Sequence, residues 1–113
     1  MRLKSTRVSV AGIHPTILPN LFLVDEWCRR NLGYELVITS CTDGKHSRTS
    51  RHYLGTAIDI RTWTTPDSGK QINGAARSDL RARLKKHLGP DWFVLDEGTH
   101  FHIDWRPRRS EIL

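Results

Sequence analysis

The order in which the hydrophobic period changes along the chain most constrains what it can fold into. From Leu18 to Leu32, the residues Leu21, Val24, Cys28 and Leu32 recur at helical spacing, with Asp25, Glu26, Arg29 and Arg30 between them. That is the pattern of an amphipathic helix. Pro15 and Pro19 bracket its entry, and Gly33 stands where a helix-ending glycine belongs. Tyr34 to Ser40 is a β-branched run suited to a half-buried strand, and Ala57 to Trp63 returns to strand character. A second helix is expected from about Ala75 to His87, with Leu80, Leu84 and Leu88 on one face and Gly89-Pro90 as its stop. Trp92 to Asp96 and Thr99 to Trp105 read as strands joined by a tight Asp96-Glu97-Gly98 turn. The first ten residues, ending Arg-Val-Ser-Val, fit a short edge strand. This order predicts an α+β fold: a small, mostly antiparallel sheet with helices packed to one side.

At 113 residues the chain has room for one domain, spanning 1–113, and no repeat or Gly/Ser linker divides it. No apolar run exceeds four residues, as at Leu21 to Val24, so no membrane insertion is expected. Nor does a 7–15-residue apolar stretch follow the basic start, so synthesis in the cytoplasm without a secretory signal is expected. Cys28 and Cys41 read as two small buried thiols. Eighteen Lys and Arg against twelve Asp and Glu give a net charge of +6, which favours polyanionic partners. The basic residues are not interleaved with aromatics and no base-reading motif is visible, so nucleic acid is not expected as a partner.

Six histidines fall in a telling arrangement. His52 and Asp59 are seven apart, across a loop and the start of a strand. His100 and His102 are two apart on an expected strand, so their side chains share a face. Imidazole and carboxylate are good zinc ligands, and three protein ligands leave a fourth position for water. Gly55 allows a close backbone approach and a turn, and Ala57 leaves room beside the carboxylate. Asp96 and Glu97 lie just before the His-x-His pair, where a general base belongs. His14 and His87 read as surface residues.

These residues resemble a family. Ser50-Arg51-His52-Tyr53-Leu54-Gly55-Thr56-Ala57-Ile58-Asp59 fits the S-x-H-x-x-G-x-A-x-D signature of the zinc D-alanyl-D-alanine peptidase group. That group includes van-type dipeptidases, phage endolysin peptidases, penicillin-insensitive murein endopeptidases and the hedgehog signalling domain. His100-Phe101-His102 matches its second motif, H-x-H, and the resemblance covers roughly residues 34 to 105. It implies one zinc ion per chain, held by His52, Asp59 and His102. It implies that His100 contacts substrate or steadies the oxyanion, and that Glu97 is the acid/base residue. The register of the motif also leaves Asp96 as the base and His100 as the third ligand. Ser50 and Thr99 would orient a ligand by hydrogen bonding, and His46 and Arg48 would recognise a substrate carboxylate. The segment from Thr64 to Gly74 would form a wall of the specificity pocket.

The chemistry implied is hydrolysis of an amide bond in peptidoglycan stem peptides, with D-amino acids in the substrate. Zinc would bring the pKa of its water toward ~7, Glu97 would move the proton, and zinc with His100 would stabilise the oxyanion. A monomer acting at the bacterial cell wall, in a phage or prophage lysis system or as a virion component, fits this reading. The alternative is a catalytically inactive, zinc-containing binding module of the same fold.

Overall fold

The computed structural model describes residues 1–42, 55–62 and 71–106. Seven elements follow in order: β1 (Arg2–Leu3), α1 (Ile17–Asn31), β2 (Val37–Ser40), β3 (Ala57–Arg61), α2 (Gly74–Leu88), β4 (Trp92–Asp96) and β5 (His100–Trp105). The strands make one five-stranded sheet in the order β1-β2-β3-β5-β4. Every pairing is antiparallel except β1 on β2. The expected α+β architecture is the observed one.

The two helices lie over one face of the sheet because their apolar stripes have nowhere else to be dry. Leu21, Val24 and Cys28 of α1 and Leu80, Leu84 and Leu88 of α2 join Ile38, Ile58, Ile60, Phe101 and Ile103 of the sheet in one buried cluster. Each such leucine contributes roughly 2 kcal/mol by leaving water. Pro19 is tolerated in the first turn of α1, where its missing N–H has no intrahelical acceptor to lose. Gly33 (φ +61°) follows the helix, and the Leu32 and Tyr34 N–H groups both donate back to the Cys28 carbonyl. The α2 helix is capped at its start by Asn73, whose side chain accepts from the Ala76 N–H at 2.8 Å. Both cysteines are buried, and burial pushes the Cys28 thiol up to about 12.

Three expectations are narrowed or corrected. The short edge strand expected within the first ten residues is confined to Arg2–Leu3, parallel to β2, and Val8 further on is a buried core side chain. The strand expected from Tyr34 begins only at Val37, because the Tyr34 N–H is committed to closing α1. His14 is not a free surface residue. Its ring lies edge-on to Trp92 at 5.4 Å and tilted against Trp105 at 4.9 Å, and its Nδ1 accepts from the Thr16 N–H.

Candidate metal centre

Alternation along β3 and β5 decides which side chains meet. Ile58 and Ile60 of β3, with Phe101 and Ile103 of β5, point into the helix-covered core. Ala57, Asp59 and Arg61, with His100, His102 and Asp104, therefore project from the other face. The register sets Asp59 opposite His102, Ala57 opposite Asp104 and Arg61 opposite His100. On the far side of β3, the pairing of β2 shifts between Ile38 and Ser40, so that Ser40 stands opposite Asp59. Such an irregularity re-aims side chains locally and is common beside functional sites.

His102 is held at both ring nitrogens. Its Nδ1 is 2.8 Å from Asp59 Oδ1, and its Nε2 is 2.9 Å from Asp104 Oδ2. Asp104 is buried, 3% exposed, and is also engaged by Arg106, whose Nε donates to Oδ1 at 2.7 Å and Nη2 to Oδ2 at 3.2 Å. The hydrogen bond to Asp59 raises the His102 pKa above the ordinary histidine value. Burial opposes this, and the charges of Asp59 and Asp104 add to it.

The geometry sorts the residues singled out in the sequence. Asp59 and His102 are brought together on adjacent strands. His100 shares their face, with its Nδ1 3.0 Å from Thr99 Oγ1. Glu97 leads into the hairpin turn and its N–H donates to the His100 carbonyl, so it stands at the same end of the sheet as His100. Asp96 goes elsewhere. It pairs in register with Phe101, on the helix-facing side, and its carboxylate takes two hydrogen bonds of 2.6 Å from Arg77. The Arg77 guanidinium, helped by the Gly98 N–H, holds the Asp96 carboxyl down to about 2. His46, Arg48, Ser50 and His52 lie outside the described residues, as does the part of the expected pocket wall from 64 to 70.

Two donors of the expected zinc set, a carboxylate oxygen and an imidazole nitrogen 2.8 Å apart on one face, are thus of types that zinc binds. Among the described residues alone, no group of three or more His, Cys, Asp and Glu side chains is placed to hold a metal. Gly55 behaves as its place in the motif requires. Its φ is +72°, and a Cβ there would lie 2.2 Å from the Gly12 carbonyl oxygen, against backbone that cannot swing aside. Ala57, fully buried, is the small residue directly across from Asp104. Sequence reasoning passed over Asp104 and Arg106. The signal was present in the alternation His100-x-His102-x-Asp104, which places all three side chains on one face of a strand.

No family model matches the chain. It is 35% identical over 68 residues to the Indian hedgehog protein of Gallus gallus. The likeness to a hedgehog protein is partial. The matched stretch is 60% of this chain and 15% of that protein, so the chain spans about a seventh of the length of its curated relative.

Proposed function

We infer that this protein is a zinc-dependent peptidase acting on an amide bond of peptidoglycan stem peptides. The observation that carries the reading is the in-register pair Asp59 and His102, with Oδ1 and Nδ1 2.8 Å apart, at the second and third ligand positions of the motif. His52 would complete the set. When bound, zinc supplies Lewis-acid polarisation of a carbonyl and a water acidic enough to attack near neutral pH.

The chain's own residues have separable tasks. Asp59 and His102 bind the ion through one oxygen and one nitrogen. His100, on the same face with its Nδ1 3.0 Å from Thr99 Oγ1, would donate to the oxygen on which charge develops. Glu97 would take the proton from the attacking water and return it to the leaving amine. Asp96 is unsuited to that task, because it is committed to Arg77 on the opposite face and is a weak base at about 2.

A second reading has its own support. The partial similarity to Indian hedgehog protein is compatible with a zinc-bearing binding module without turnover. Metal content by mass spectrometry, paired with digestion of muropeptides with and without chelator, separates the two. About one zinc per chain with chelator-sensitive cleavage of a stem-peptide bond supports the peptidase. One zinc with every muropeptide intact supports the module. No zinc after reconstitution rejects both.

A further inference from the structure

The strand that carries His102 also carries, two residues on, a buried carboxylate that the amide-hydrolysis reading does not use. Asp104 Oδ2 lies 2.9 Å from His102 Nε2, the nitrogen that faces away from Asp59. A buried carboxylate without partners is expensive, and this one is fully engaged. Arg106 grips it through both oxygens, at 2.7 and 3.2 Å. The Arg106 guanidinium is itself seated over the Phe93 ring, 4.3 Å from its centroid, and the Arg106 N–H donates to the Asp91 carbonyl. Phe93 is opposite Asp104 in the β4–β5 register, so the stack, the guanidinium, the carboxylate and the imidazole form one row across the hairpin.

We propose that Asp104, clamped by Arg106, is a positioning residue that fixes His102 with its Nε2 proton turned away and its Nδ1 turned toward Asp59 as the metal-facing nitrogen. The proposal rests on the zinc-site reading above and adds which nitrogen binds and what holds it there. An imidazole has two nitrogens and a ring that flips. A ligand histidine needs a partner on its second nitrogen to select one tautomer and one ring orientation, and loss of such a partner typically weakens metal binding 10–100-fold. Ala57, the residue across from Asp104, leaves the carboxylate room to reach the ring. Neither Asp104 nor Arg106 touches the ion or the substrate in this arrangement, so neither is a catalytic residue.

The test uses the full chain and zinc alone as the probe, titrated against a chromophoric chelator. Asp104→Ala should weaken zinc binding on the order of 10–100-fold while circular dichroism shows a folded protein. Asp104→Asn keeps an acceptor oxygen and should restore most of the affinity. Glu26→Ala, an exposed carboxylate in the helix layer on the far side of the sheet, should leave it unchanged and so controls for the lost negative charge. Nitrogen-15 NMR of the zinc-loaded parent should show the His102 proton on Nε2 and the metal on Nδ1. This readout stands even where Asp104→Ala fails to fold. Zinc affinity in folded Asp104→Ala equal to the parent's, or metal on Nε2 in the parent, overturns the positioning role and leaves the zinc site standing. A parent chain that binds no zinc overturns both.

Discussion

His102 carries two neighbours whose demands agree: a carboxylate at each ring nitrogen, on one face of one sheet. In the metal-free protein this pairing has a definite pH signature. The folded His102 pKa is raised, first by the hydrogen bond to Asp59. Its contribution to stability is therefore complete below the unfolded value near 6.5 and is lost as pH rises through the folded value. Melting curves in chelator should show the parent losing more stability between pH 6 and pH 9 than His102→Gln does. With metal available, His102→Ala should abolish zinc retention and activity together, whereas His100→Ala should keep the metal and lose rate. The reverse result would exchange the two roles. Asp59 and His102 were legible in the sequence because the spacing of their motifs fixes the register of two strands. Asp104 was not, since an acidic residue alternating with apolar ones reads equally well as solvated edge. The two candidate bases, Asp96 and Glu97, looked equivalent because sequence distance says nothing of faces. Only the pairing of Asp96 with Phe101, and the grip of Arg77, separates them.

Among the elements, those with strong local signals were read well. Both helices start and stop within a residue or so of the expected bounds, because their stripes, Gly33, Gly89 and Asn73 act locally. The β4–β5 hairpin was legible for the same reason, with Gly98 (φ +88°) at its turn. The two-residue β1 was legible only as an edge strand somewhere in the first ten residues, because its exact place is set by an edge on β2 and not by its own pattern. Two substitutions test the local account. Asn73→Ala removes the cap of α2 and should cost about 1 kcal/mol in urea unfolding. Gly55→Ala must clash with the Gly12 carbonyl and also adopt a positive φ. It should destabilise by more than the roughly 1 kcal/mol that an alanine at a compatible glycine position gains, and it should lower zinc affinity, since Gly55 leads into the strand that carries Asp59.

At the scale of the molecule, the sheet divides the work. One face is covered by helices and supplies the stability, while the other presents the polar row of Asp59, His102 and Asp104. Leu84→Ala, at the centre of the covered side, should destabilise the fold by about 2–5 kcal/mol. Its zinc affinity at low temperature should stay close to the parent's. Zinc at a hundred times its dissociation constant should add about 2.7 kcal/mol and raise the Tm by roughly 10 °C, an increase that His102→Ala should not show. Within α1, Asp25 pairs with the Met1 ammonium at 2.8 Å and with Arg29 at 3.0 Å.

The strand order itself has a last consequence. Asp59 and His102 are neighbours because β3 pairs with β5, and among the described residues β3 is the only strand before α2 that touches the hairpin after it. The centre is thus a seam, stitched from one strand before α2 and one after it. No fragment that stops short of β5 contains it. A metal bound there would act as a clasp between the two segments, and its capture during refolding would time the moment at which they close.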